Sequence, residues 1–504
     1  MDFDEIKDLR DWLQVARDMD ALTDVSGAHW DLEIGAISQL NYRRQQPAAL
    51  LFDDVPGYPS GYRVLTGSVS DAARTAMTMR LGQGFTDQEL VQALVGKPGE
   101  WEQTASKFDP IAVDDAPVFE NVIEGADVDL TRFPVPLWNE LDGGRFIGTG
   151  CIVFTRDPDT GDVNGGSYRV QMQDEGRSVT VDAVPGKHGA QHIDKWLKRE
   201  GRVPVTISFG HDPLLMIVGG TEVPQGISEL NYAGAITGRP LEVVNSEITG
   251  LPIPVSSEFV VEGWLDPSFS RVEGPFAEWT GHYSGGDSPV IGLDIARVLH
   301  RDDPIILGAP PSKPPHDYSY MRTVMKSAMI QEWLVHSGVP GVKGVWADEA
   351  GGGRMFVVVA IEQRFCGHSR QVGFLTAQSP AAAYLNRWVV VVDHDVDPTD
   401  LSDVIWAMST RCDPAADIEI MRKSWGGKRD PLLIDGPSYN SRAFVDACRP
   451  FEHFDDFPAV AVASPRLLKE TYEKWGHVLG ADVPVPGGAS EGPTSGAVTA
   501  MTDD

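Results

Sequence analysis

IGTGCIVFTRD (147–157), SYRVQMQ (167–173), SVTVDAV (178–184), VPVTISFG (203–210) and LLMIVGG (214–220) follow one another in close succession. Each is rich in Val, Ile, Thr or aromatic residues and is bounded by Gly, Asp or Pro, which predicts a series of short strands. The same texture runs from Val118 to about Val298, so the centre of the chain is read as a β-barrel or β-sandwich domain. The pattern changes on either side. Upstream, an amphipathic helix is predicted near Ile6 to Met19, PAALLFDDVPG (47–57) reads as a short strand closed by a turn, and residues 72–95 read as helical. Downstream of Pro310, MFVVVAIE (355–362) and RWVVVVDHDVD (387–397) are continuous apolar strands, and a helix begins within TDLSDVIWAMSTR (399–411). Such Val runs suit strands covered on both faces of an α/β sheet.

A chain of 504 residues exceeds the size at which one core keeps growing, so two or three domains are expected. The reading is an α/β multidomain protein: a mixed α/β N-terminal domain (1–120), a β-barrel domain (121–310), a C-terminal α/β domain (311–485) and a disordered tail (486–504). Hydrophobic residues make up 42%, and no run approaches the roughly 18 apolar residues of a membrane span. The N-terminus is acidic and amphipathic, unlike an export signal. Cys151, Cys366, Cys412 and Cys448 are widely spaced, which argues against a disulfide framework or a cysteine-built zinc site and for a reducing cytoplasm. Lys and Arg total 42 against 73 Asp and Glu, a formal charge of −31 that disfavours nucleic acid and anionic lipid as partners. An anionic substrate would need local cations.

The stretch EGPFAEWTG (273–281) places two carboxylates around a stiff Gly-Pro turn. Gly274 and Pro275 bend the strand, aiming Glu273 and Glu278 at a common point. Two such acids suit proton chemistry, with a neighbouring Arg keeping one ionised; a solvated turn carrying two Glu is the plain alternative. Asn164 and Arg169 in NGGSYR (164–169), His188 in GKHGAQHIDKW (186–196) and Glu229 in GISELNYAGA (226–235) add an amide, an imidazole and a carboxylate, a plausible ligand set for Mn²⁺ or Mg²⁺. Singly, each is equally well a surface or packed side chain. His192, four residues after His188, would share its face if the segment is helical, but Pro-Gly-Lys before it fits a loop as well. No phosphate loop, dinucleotide fingerprint, nucleophile elbow or H-E-x-x-H motif is present.

Taken in order, NGGSYR, KHGAQHIDKW, GISELNYAGA, EGPFAEWTGHY and VVVVDHDVDPTDLSDVIWAMSTR resemble the UbiD family of reversible decarboxylases over nearly the whole chain. The resemblance implies a flavin-reductase-like split barrel that binds prenylated FMN, with the phosphate held through Mn²⁺ and a nearby K⁺. It carries the Mn²⁺ ligands onto Asn164, His188 and Glu229, and the K⁺ site onto Gly165, Val218, Gly219, Thr221 and the shared Glu229. Thr149 and Gly166 fall where the family touches the cofactor. The family's Glu-Arg-Glu network maps onto Glu273, Arg169 and Glu278, with Glu278 as proton donor. Where relatives have a Lys on the cofactor phosphate, SRAFVDACRP (441–450) places Arg442, and Lys428 competes for that role.

The implied activity is non-oxidative decarboxylation of an aromatic, heteroaromatic or α,β-unsaturated carboxylic acid, with the cofactor supplied by a flavin prenyltransferase. A homodimer is expected, with a hexamer as the family's alternative. The substrate cleft is expected between the barrel and the C-terminal domain, with APPSKPPHDYSYM (309–321) and AGGGRMF (350–356) as lid or wall segments or plain interdomain loops. A flavin carrier or assembly subunit without decarboxylase activity, and a conventional flavin oxidoreductase, are the competing classes.

Overall fold

The computed structural model describes residues 3–183, 186–286, 288–427, 430–433 and 439–479. Lys428 and the predicted tail at 486–504 lie outside these residues.

The first helix, Leu9–Asp18, starts where the Asp8 side chain accepts the Arg10 and Asp11 N–H groups, and it buries Leu9, Trp12, Leu13 and Ala16 along one stripe. It covers a four-stranded sheet ordered Leu22–Ser26, Ala49–Asp53, Arg63–Thr66 and Ile305–Leu307. The last of these strands comes from far along the chain and pairs in parallel with Arg63–Thr66. Residues 72–95 form two helices, Ala72–Thr78 and Asp87–Leu94. Gly82 (φ +106°) and Gly84 (φ +81°) between them adopt backbone angles that only glycine takes readily.

The central region is a nine-stranded sheet whose spine is the antiparallel pair Phe259–Val272 and Pro289–His300. Among the described residues its path runs from Phe146–Gly148 to Val163–Gly166 without closing, so the barrel is split. One expectation fails here. LLMIVGG belongs to a helix, Pro213–Gly220, started by the Asp212 side chain on the Leu214 N–H with Pro213 in the first turn. An unbroken apolar run reads alike as buried strand or buried helix, and the Asp-Pro pair decides for the helix.

The C-terminal sheet is ordered Val342–Ala347, Phe356–Ile361, Trp388–Asp393, Tyr439–Ala447 and Ile418–Trp425. Its inner strands are parallel and its outer ones antiparallel. Val389 and Val391 join a core with Val372, while Val390 and Val392 join another with Val404. Alternate side chains thus fill opposite faces, each fully buried Val contributing about 1.5–3 kcal/mol. Helix Asp317–His336 ties this domain to the N-terminal one: buried Asp317 accepts the Tyr42 hydroxyl at 2.6 Å and the N–H groups of Gly67 and Val69.

Candidate active site

The strand Phe259–Val272 ends just before Glu273, and Gly274 turns the chain at φ +85°. A Cβ at Gly274 would approach the Gly286 N at 3.0 Å and the Ser284 O at 3.2 Å, so the turn closes tightly only with glycine. Phe276–Ala277 then pairs with Tyr283–Ser284 as a short hairpin. This fold brings both acids onto Arg169. Its Nε and Nη2 donate to the two Glu273 oxygens at 2.7 and 2.6 Å, and its Nη1 donates to Glu278 Oε1 at 2.6 Å. The paired fork on Glu273 is the strongest geometry available to a guanidinium and a carboxylate. Glu273 is almost wholly buried, 1% exposed, whereas Glu278 at 12% keeps contact with the cavity it lines.

Two further members escaped the sequence reading. Asp182 lies 3.2 Å from Arg169 Nη2, because the register of Arg169–Gln173 against Ser178–Asp182 sets Asp182 directly opposite Arg169. The Ser284 hydroxyl donates to Glu278 Oε1 at 2.6 Å. Neither relation is visible without strand pairing. Burial works against the Arg169 charge, but Asp182, Glu273 and Glu278 outweigh it and hold its pKa above the ordinary value.

Asn164, His188 and Glu229 line the same cavity from a strand and two helix starts. The segment after Lys187 is helical, His188–Glu200, which settles the loop alternative. His192 nevertheless turns elsewhere, with Nδ1 3.1 Å from Thr155 Oγ1 and Nε2 3.9 Å from Asp157. Glu229 is 5% exposed and accepts the Gly165 N–H at 2.7 Å. Burial pushes its pKa up to about 7 against that hydrogen bond, and among the described residues no Lys or Arg pairs with it. A buried carboxylate beside an imidazole and an amide, lacking a protein cation, fits a divalent ion. Next to it, helix Pro213–Gly220 ends, and Val218 O accepts the Thr221 N–H at 3.0 Å. Helix C-terminal carbonyls carry partial negative charge suited to a second cation.

The cavity holds about 390 Å³, within the roughly 300–1,000 Å³ of ligand sites. Thr149, Gly166, Gly219 and Thr221 line it, and a Cβ at Gly166 would meet the Tyr168 ring at 2.4 Å. Both wall segments contribute: Pro311 and Tyr318 from one, Arg354 from the other. Arg442 corrects the sequence reading. It is 1% exposed, gives its guanidinium to the carbonyls of Ala377, Ala383 and Trp425, and does not line the cavity. Its role is to hold the backbone just before Tyr384 and Leu385, which do line it. Among the described residues, the cations that face the cavity from the C-terminal domain are Arg322, which no local motif marked, and Arg354, which lies in the AGGGRMF segment.

Three family profiles of 3-octaprenyl-4-hydroxybenzoate carboxy-lyase match: the N-terminal domain at residues 14–95, the Rift-related domain at 111–314 and the C-terminal domain at 319–447. A phenolic acid decarboxylase of Streptomyces sp. (strain D7) is 30% identical over 84% of this chain and 87% of its own. The UbiD-class enzyme HmfF from Pelotomaculum thermopropionicum, solved with FMN, is similar with a TM-score of 0.78 at 26% identity, covering 90% of this chain and 97% of that one. An evolved dimeric form of it, solved with prenylated FMN, gives 0.76 at 25% identity over 91% and 97%. No described helix is long and apolar enough to cross a membrane. With its fold, its split sheet and all three domains matched in order, the chain belongs to the UbiD family of carboxy-lyases.

Proposed function

We propose that this decarboxylase uses prenylated FMN to remove CO₂ from an aromatic, heteroaromatic or α,β-unsaturated carboxylic acid, with Glu278 delivering the proton. The observation that carries the proposal is Arg169, bridging Glu273 and Glu278 at the cavity wall. One guanidinium facing three carboxylates forms a coupled group that takes up a proton without losing its main ion pair. Glu273 anchors Arg169 through two bonds, Arg169 and Ser284 orient Glu278, and Glu278 meets the cavity. Proton transfer by such a positioned acid contributes roughly 10²- to 10⁴-fold.

The prenylated flavin, when bound, supplies the electrophilic ring that takes up electron density as CO₂ departs. Asn164, His188 and Glu229 would hold Mn²⁺ at its phosphate, and Gly165, Val218, Gly219, Thr221 and Glu229 would hold K⁺. Glu229, buried and with no Lys or Arg partner among the described residues, supports this assignment. Phe276, whose ring lies 5.5 Å from the Arg169 guanidinium, and Trp279 line the cavity beside the acid group. The protein acts on a small carboxylic acid in the cytoplasm and depends on a flavin prenyltransferase. A homodimer through the C-terminal region is supported by helix Pro465–Leu479, which leaves Leu467, Leu468 and Trp475 exposed.

A panel of carboxylic acids, assayed for CO₂ release by protein co-expressed with a flavin prenyltransferase, tests the activity. Release from at least one acid is expected; flavin-loaded protein inert toward the whole panel would favour the carrier reading.

A further inference from the structure

Arg322 lines the cavity, but its Nε and Nη1 are buried without a hydrogen-bond partner. Among the described residues no carboxylate forms an ion pair with it. Its guanidinium lies 5.1 Å from the Tyr318 ring and 5.7 Å from the Trp279 ring, and Arg354 lies 6.0 Å from the same Trp279. Around them the charges do not balance. Lys187, Arg354 and Lys326 approach Glu222 at 3.1, 3.6 and 3.9 Å, so among the described residues three cations share this one carboxylate while Arg322 has no ion pair of its own. Arg354 Nη1 also lacks a hydrogen bond. Burial and the Arg354 charge push Arg322 down to about 9, and burial pushes Lys326 down to about 7, the direction for cations with too little anion near them. A local excess of positive charge in a chain of net charge −31 calls for an anionic ligand.

The position narrows which anion. Trp279 directly follows Glu278, and Glu278 is among the charges acting on Arg322. The cationic wall therefore belongs to the side of the cavity where the proton is delivered, and its rings, Trp279, Tyr318 and Tyr384, suit a planar substrate. The geometry points to a second anion subsite, formed by Arg322 and Arg354, that binds a second carboxylate on the aromatic acid being decarboxylated. This deepens the proposed decarboxylase reading and rests on it. One carboxylate would lie toward Arg169 and Glu278, while the other satisfies the N–H groups of the Arg322 and Arg354 pair.

Binding of isophthalate and terephthalate, each against benzoate, to the flavin-loaded protein tests the subsite by calorimetry. At least one dicarboxylate should bind more tightly than benzoate. Arg322→Gln should reduce that preference by roughly 10- to 100-fold, the range for a charged hydrogen bond, and Arg322→Lys should restore part of it. Should Arg322→Gln fold poorly, Arg354→Gln should erode the same preference. A preference unchanged in both Gln variants overturns the subsite, as does loss of flavin in Arg322→Gln, which would assign the guanidinium to the cofactor phosphate. CO₂ release is read separately. Dicarboxylate-selective binding with no CO₂ release from any acid would leave the subsite standing and remove the decarboxylase reading, and turnover of monocarboxylates with no dicarboxylate preference would do the reverse.

Discussion

Arg169 and Arg322 line one cavity, yet the first is ringed by Glu273, Glu278 and Asp182 while the second, among the described residues, forms no ion pair with a carboxylate and packs against aromatic rings. Both are largely removed from water, so the desolvation cost is similar and the difference lies in who supplies the counter-charge. At Arg169 the protein supplies it, which leaves a charge-balanced group suited to the proposed proton transfer. At Arg322 the ligand must supply it, which makes that wall a recognition surface. Arg442 is a third case, its guanidinium spent on backbone carbonyls and its role therefore structural.

The sharpest way to break the contrast is Arg169→Met. Glu273, 1% exposed, would be left buried without its cation, so a loss of about 3–5 kcal/mol of stability is expected along with turnover, measured by chemical denaturation and CO₂ release. Stability unchanged within error would show that the Arg169 cluster is not a buried ion-pair network. Next, His188→Ala should lower both Mn²⁺ and flavin carried through purification, read by elemental analysis and absorbance; full retention of both refutes the metal assignment. Asp182→Asn should be milder, about tenfold or less in kcat, because Glu273 keeps Arg169 charged and in place. If it matches Glu278→Gln instead, Asp182 shares the proton.

A further effect concerns pH. His316 is buried at the start of helix Asp317–His336, where its Nδ1 lies 3.3 Å from the Ser319 N–H it accepts and its Nε2 3.3 Å from Trp279 O. Burial lowers its pKa from 6.5 to about 3. The unfolded chain therefore binds a proton that the folded one refuses, and stability is lost as pH falls from about 6.5 toward 3. The contribution is on the order of 2 kcal/mol near pH 5, and His316→Asn, which keeps a capping oxygen, should flatten the melting-temperature profile over that range.

How much was legible in the sequence depends on range. The Val389–Val392 strand, the Asp400-started helix and the bent turn at Gly274 are local, and each was visible as pattern. The meeting of Arg169 with Glu273 and Glu278 was visible as motif and chemistry together. Asp182 was not, because it depends on strand register. Arg322 was not, because a helix of another domain brings it to Trp279, whereas the AGGGRMF loop that carries Arg354 was read as a wall segment or a plain interdomain loop without its cation being marked. Ile305–Leu307 carries the same lesson, pairing with Arg63–Thr66 although some 240 residues of chain separate them.

Glu278, held by Arg169, is the proposed proton donor. Glu278→Gln keeps the side-chain shape and a hydrogen-bonding oxygen but has no acidic proton to give. Its single-turnover decarboxylation, measured at wild-type flavin occupancy, should slow by about 100-fold or more. A rate within about threefold of wild type, with the same cofactor spectrum, would remove Glu278 from the mechanism.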